Sequence, residues 1–210
     1  MTEPIALVFV TTNEGHVLIP ALDSLFSSVG ETPLEVVVVD NASTDGAGEQ
    51  ISRKWPNVRV ITQDRPGGLP ANLNRGIRET GSPYIMLCNS DLIFTPGAVE
   101  TLARFMDEHP RCGIVGPLFN SPDGEPRVTA RRWYTWPVLA ALKGPWKPFT
   151  SRWAFVLHSF YDEWNRQEPL EVDWVPCPGT MFRRAALDEV GLMDERFRLY
   201  FDDVDIALRM

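Results

Sequence analysis

The chain has 210 residues, 44% hydrophobic and 23% charged, with 28 acidic against 20 basic side chains and a formal net charge of −8. That length suits one substantial domain or two small lobes sharing a core, and the acidic balance argues against general nucleic-acid binding. No apolar run approaches the roughly 20 residues of a membrane helix, and the opening MTEPIALVFVTTNEG has no basic stretch before its short apolar run. The sequence therefore predicts a cytoplasmic chain without signal peptide or membrane span. Cys88, Cys112 and Cys177 are far apart and form no CxxC pair, so they read as inert small hydrophobes in a reducing compartment.

Along the first half, strand-like and helix-like segments alternate. Residues 5–10 (IALVFV), 35–40 (EVVVVD), 58–62 (VRVIT), 84–88 (YIMLC) and 113–119 (GIVGPLF) are short β-branched and aliphatic runs, apolar on both faces. Such runs suit a mostly parallel sheet covered by helices on each side. Val17, Leu18, Ala21, Leu22, Leu25 and Phe26 recur at helical spacing, and residues 96–108 predict a helix with Pro96 in its first turn. The pattern is that of a doubly wound α/β domain.

Sheets of this kind bind ligands beyond the carboxyl ends of their strands, where the strand order reverses. Those ends carry TTNEG (11–15), DNASTDG (40–46), DRPGG (64–68) and NSD (89–91). Ser43, Thr44 and Gly46 are read as caps and turn formers. The trio Asn89-Ser90-Asp91 interrupts an apolar run that resumes at Leu92, so Asp91 must be exposed, paired or bound to a cation.

After residue 120 the character changes. Residues 126–161 hold six basic side chains (Arg127, Arg131, Arg132, Lys143, Lys147, Arg152) and four tryptophans (Trp133, Trp136, Trp146, Trp153), without Asp or Glu. Prolines at 137, 145 and 148 break this segment into an irregular, partly helical excursion. It reads as a solvated basic face with aromatic packing, or as a diphosphate contact, an acceptor cleft or a surface for anionic membrane. Order returns with GTMFRR as a strand, RAALDEV as a helix stopped by Gly191, and a last helix capped by Asp202 or Asp203. FDDVD puts three carboxylates within four residues, a crowding that a cation, a donor network or open water must relieve.

The order of these motifs resembles the inverting family 2 glycosyltransferases of GT-A fold, and most closely their rhamnosyltransferase-like branch. The resemblance spans essentially the whole chain. VFVTTN is similar to the family's first strand, with Thr12 in its usual tyrosine position; VVVVDNASTDG is similar to its second strand and turn; GGLPANLNRGI is similar to its asparagine- and glycine-rich stretch. NSD stands where the family carries D-x-D, with Asn89 replacing the first Asp, and VDWVPCPGTMFRRAALDEVGLMDERFRLYFDDVDIALR is similar to the segment that supplies the base.

The resemblance implies that Asp40 recognises the nucleotide base, and that Thr11, Asn13, Asn74 and Asn89 join it around a nucleoside-diphosphate-sugar donor. It implies that Asp91 meets a Mg²⁺ or Mn²⁺ ion and that Asp203 is the catalytic base, supported by Asp202. The acceptor would be a glycan or a lipid-linked molecule, with no nucleic acid as partner and a peripheral contact at the inner face of the membrane. One domain is expected over 1–210: a nucleotide-sugar-binding half (1–119), the basic excursion (120–173) and an acceptor and base half (174–210). Family members continue to a histidine that completes the metal site, whereas His16, His109 and His158 stand elsewhere and the sequence ends at Met210. The alternative expectation is therefore a non-catalytic donor-binding remnant or a fragment of a longer enzyme. A dinucleotide oxidoreductase is excluded because no G-x-G-x-x-G follows the first strand.

Overall fold

The computed structural model describes residues 3–121, 123–127, 129–143, 145, 147–150, 153–161 and 163–210. Trp146 and Arg152, two members of the basic excursion, lie outside the described residues. Four parallel strands form the centre: β1 (Ile5–Thr11), β2 (Leu34–Asp40), β3 (Arg59–Thr62) and β4 (Tyr84–Cys88). Two short strands, β5 (Ile114–Val115) and, much later, β8 (Thr180–Arg183), complete a six-stranded sheet of order β3-β2-β1-β4-β8-β5. β8 is antiparallel to both neighbours. A separate ribbon pairs β6 (Phe119–Asn120) with β7 (Pro126–Arg127).

Alternation along the strands sorts side chains into two cores. Ile5, Leu7 and Phe9 of β1, with Val36, Val38, Met86 and Met181, pack under α1 (Gly15–Ser28), α2 (Ala47–Lys54) and, through Val99, Ala103 and Met106, α4 (Ala98–Glu108). Ala6, Val8, Ile85, Leu87 and Phe182 pack on the other face. There they meet α3 (Leu69–Arg78) through Leu73 and Ile77, α8 (Arg184–Val190) through Leu187 and α9 (Asp202–Arg209) through Ile206. The excursion carries α5 (Trp136–Lys143), α6 (Lys147–Thr150) and α7 (Ala154–His158). No helix among the described residues is long and apolar enough to cross a membrane. Burial pushes the Cys88 and Cys177 thiols well above their ordinary range, which keeps them unreactive.

Three elements differ from expectation. The run 113–119 splits into β5 and the start of β6 around Gly116 and Pro117. Pro117 has no N–H for a ladder, and Gly116 lies against Val175, where a Cβ would come within 3.1 Å. The helix foreseen from Pro96 starts at Ala98, after Gly97 turns the chain at φ 75°. Neither Asp202 nor Asp203 caps the last helix: Phe201 holds that place and the two carboxylates occupy its first turn.

α3 lies close to the sheet because Gly76 faces β1. A Cβ at Gly76 would sit 2.3 Å from Val8 Cγ1 and 3.3 Å from Val39 Cγ2. Both valines are completely buried, so neither can move aside. Alanine ordinarily gains about 1 kcal/mol over glycine inside a helix. Here overpacking outweighs that gain, and Gly76→Ala is expected to destabilise by about 1–2 kcal/mol in urea denaturation. Gly81→Ala, with nothing within 4 Å of its new methyl, should stay within about 0.5 kcal/mol of the parent.

Candidate active site

The chain leaves β1 for β2 and β3 on one side and returns for β4 on the other, so the strand order reverses at β1. Register sets what meets there. Thr11 pairs with Asp40, and the β1–β4 ladder ends at Phe9 and Cys88, so Asn89–Asp91 leaves the sheet beside the last residues of β1. Thr11 is 1% exposed and its Oγ1 is buried without a hydrogen-bond partner. Asp40 is also buried; its Oδ1 accepts the Ser43 N–H at 2.9 Å, closing its own turn. Its Oδ2 faces Gly48, where a Cβ would come within 3.3 Å.

Polar side chains lace the surrounding loops together. Asn13, at φ 55°, accepts the Thr44 N–H on Oδ1 at 2.7 Å and donates its own N–H to Ser43 Oγ at 2.9 Å. Asn41 donates to Thr12 Oγ1 at 3.1 Å and accepts the Gly67 N–H at 2.7 Å. Asp45 accepts N–H groups at the starts of two helices, from Gly15 at 2.9 Å and Ala47 at 3.1 Å. The Gly15 bond is the main reason its carboxyl titrates below the ordinary range. Asn13 thus shapes the loop, with its carbonyl oxygen already engaged by Thr44.

At the end of β4, Asn89 and Asp91 are exposed while Ser90 is buried and donates to Glu14, which precedes α1. This cross-link between the β1 and β4 loops was not foreseen from sequence, which singled out neither Glu14 nor its pairing with a residue 76 positions away. Among the described residues no group of three or more His, Cys, Asp or Glu side chains is disposed to hold a metal ion. One carboxylate with a neighbouring amide is too small a donor set for a resident ion. It fits a hard cation that takes most of its oxygens from a diphosphate and water.

Asn74 does not face the strand ends. It is 2% exposed, its Nδ2 donates to Met193 O at 2.8 Å and Glu195 Oε1 at 2.9 Å, and its Oδ1 accepts the Met193 N–H at 3.0 Å. Its amide ties residues 193–195 to α3. The same connection then crosses the start of α3, where Leu69 N–H donates to Arg198 O at 3.0 Å.

Two left-handed residues, Tyr200 at φ 68° and Phe201 at φ 65°, bring the chain into α9. Asp202 is buried and Asp203 half-buried. Burial raises both carboxyls above the usual carboxylate range; for Asp203 the Val204 N–H opposes the rise, Asp202 adds to it and Arg131 opposes it. Both charges are felt by Cys177, which lies just before β8. Leu87 of β4 pairs with Thr180 of β8 and accepts the Gly179 N–H at 2.7 Å. The start of α9 therefore lies at the sheet edge from which Asn89–Asp91 emerges.

The excursion supplies the other wall. Arg131 and Trp174 exchange backbone hydrogen bonds of 3.1 and 3.2 Å. The Arg131 guanidinium lies 4.6 Å from the Phe160 ring centroid, and the Tyr134 ring sits 5.3 Å from Trp174 and 6.0 Å from Phe201. Burial pushes the Tyr134 phenol up. Sequence reading missed Arg131 and Tyr134 as individual site residues: the basic composition marked the segment, but no spacing pointed to its approach to Asp203.

Comparison with known proteins agrees with this fold. The family model for glycosyl transferase family 2 matches residues 6–191. The chain is 31% identical to the N-acetylglucosaminyl-diphospho-decaprenol L-rhamnosyltransferase of Mycobacterium tuberculosis, over 100% of this chain and 71% of that protein. It is 27% identical to the uncharacterized glycosyltransferase YwdF of Bacillus subtilis, over 94% of this chain and 65% of that one. Among solved structures, S. aureus TarS 1–349 in complex with UDP-GlcNAc superposes with a TM-score of 0.66 at 19% identity, covering 100% of this chain and 53% of that chain. The mannosyltransferase PcManGT from Pyrobaculum calidifontis, in complex with GDP-Man and Mn²⁺, gives 0.65 at 17% identity, covering 98% and 51%. The chain thus spans about half the length of these solved structures. From within β1 to the glycine that stops α8 the family match and the sheet order coincide, and the chain belongs to glycosyl transferase family 2, with its GT-A fold.

Proposed function

We propose that the chain transfers a sugar from a nucleoside-diphosphate-sugar donor to an acceptor hydroxyl, with inversion at the anomeric carbon. The observation that carries this reading is a half-buried carboxyl of raised proton affinity, Asp203, at the sheet edge that also presents Asp91. Inversion needs a base on the acceptor side and charge stabilisation on the opposite, leaving-group side. Asp203 takes the proton of the attacking hydroxyl, and Asp202 adds negative charge that keeps Asp203 basic. Arg131 offsets part of that charge and orients the carboxylate. Asp40 and Thr11 hold the nucleotide, the unpartnered Thr11 hydroxyl being free to bond it. A Mg²⁺ or Mn²⁺ ion, when bound, would be held by Asp91 with the donor phosphates and would neutralise charge on the departing diphosphate.

Rhamnose as the sugar and a lipid-linked diphosphate glycan as the acceptor find support in the name of the mycobacterial relative. A lipid-linked acceptor would bring the excursion to the inner membrane face, in keeping with the exposure of Trp136, Phe149 and Trp153. The second reading, a donor-binding remnant, keeps the donor side and lacks turnover.

Transfer assays on the base pair separate the two readings. Asp203→Asn is expected to lower transfer by roughly 10²–10⁴ with donor affinity unchanged, and Asp202→Asn by less. Below the raised pKa of Asp203 the base is protonated, so transfer should fall as pH drops, with its acid limb above the ordinary aspartate value; that limb should vanish in Asp203→Asn. Loss on Asp202→Asn alone would exchange the two roles, and donor binding without transfer in the parent would favour the remnant. Asp40→Ala should weaken nucleotide binding by about 1–3 kcal/mol in calorimetry; unchanged affinity would reduce Asp40 to the turn cap for Ser43. The parent should retain Mn²⁺ only when a nucleoside diphosphate is present, and Asp91→Ala should abolish that coupling. Tight Mn²⁺ retention by the nucleotide-free chain would refute the donor-borne cation.

A further inference from the structure

A polar cavity lies along the outer side of α3. Its volume is about 320 Å³, and Gln63, Arg65, Asn72, Arg75, Arg78 and Glu195 line it. None of Thr11, Asp40, Asn89 or Asp91 borders it. Helical spacing explains the wall: Leu73, Gly76 and Ile77 turn α3 to the sheet, which leaves Ala71, Arg75 and Arg78 on the opposite stripe.

Asn72 belongs to neither stripe. It is 3% exposed, and its Nδ2 is buried without a hydrogen-bond partner. Gly67 stands next to it, with the ideal Cβ position 3.5 Å from Asn72 Nδ2, and Gly67 itself is fixed by Asn41. A buried amide donor with no protein partner calls for an acceptor from outside the chain, a water or a ligand.

The charges around it specify what that acceptor is. Glu195 faces Arg78 at 3.4 Å and Glu79 is paired with Arg59 at 2.6 Å, so both carboxylates of the wall are compensated. Arg65 and Arg75 form no ion pair among the described residues. Two exposed planar guanidinium groups beside a buried amide N–H suit an acceptor-rich anion, whereas a cation would meet their positive charge.

We propose that this cavity binds a small phosphate-bearing anion through Arg65, Arg75 and Asn72, as a site separate from the donor crevice. The site needs neither Asp91 nor Asp203, so it stands or falls independently of sugar transfer. Phosphate oxygens reaching the cavity have two sources, a free anion and the diphosphate of the donor, and the two predict different responses to nucleotide.

The test titrates inorganic phosphate into the full chain, following Tm and calorimetric heat, with chloride at matched ionic strength as control. The expected result is a saturable rise in Tm with phosphate and none with chloride. Arg65→Ala and Arg75→Ala should each weaken phosphate binding by about tenfold. Asn72→Leu should weaken it comparably, and Arg75, on the exposed face of α3, carries the test if that variant folds poorly. Asp91→Ala and saturating thymidine or uridine diphosphate should leave the phosphate response in place. A parent without a saturable response, or a response that survives in Arg65→Ala/Arg75→Ala, overturns the site. A response abolished by nucleotide or by Asp91→Ala overturns its separateness and assigns the anion to the donor's own diphosphate position.

Discussion

Everything at the site depends on β1 being paired in parallel on both sides, with β2 and with β4. The chain crosses away from β1 in opposite directions on its two sides, so the connecting loops part there, the place at which sheets of this kind take their ligands. The parallel ladders hold Thr11 level with Asp40 and send Asn89–Asp91 out beside them. Because β1 is covered on both faces, its own side chains are Ile, Ala, Leu, Val and Phe; polarity can enter only where the strand stops.

The loops around these strand ends hold their shape through polar side chains more than through packing. Asn13, Asn41 and Asp45 each join segments about 26–31 residues apart in sequence. Glu14 and Ser90, 76 residues apart, join the loops that follow β1 and β4. Residues that look like redundant turn formers therefore preorganise the edge at which a ligand would bind, and little rearrangement is needed when it arrives.

The sheet was legible in the sequence wherever burial on both faces left a continuous apolar run, as in residues 5–10, 35–40 and 84–88. The run 113–119 misled because Gly116 and Pro117 interrupt the ladder inside an otherwise strand-like composition. The position of β8 was not legible at all: its antiparallel insertion between β4 and β5 is a long-range pairing, and TMFR looks the same in either direction. At the site, Asp40 and Asp91 stood out because a carboxylate ending an apolar strand is conspicuous. Asn74 was placed around the donor by likeness to a motif, and only the fold reveals that Met193 and Glu195 engage its amide. Arg131 and Tyr134 come to Asp203 through the bridge to Trp174, a contact between segments about 43 residues apart that no local pattern encodes.

The paired left-handed residues ahead of α9 bear on how this family member could change over time. Tyr200 and Phe201 hold a backbone conformation that costs bulky side chains about 1–2 kcal/mol each, and glycine at either position would relieve that cost. Phe201 is also the ring that Tyr134 meets edge-on, and the turn it makes aims Asp202 and Asp203. Relaxing the turn would make the protein sturdier and leave its acidic pair less firmly aimed. Under the role proposed for Asp202 and Asp203, selection for robustness and selection for chemistry pull in opposite directions at these two residues.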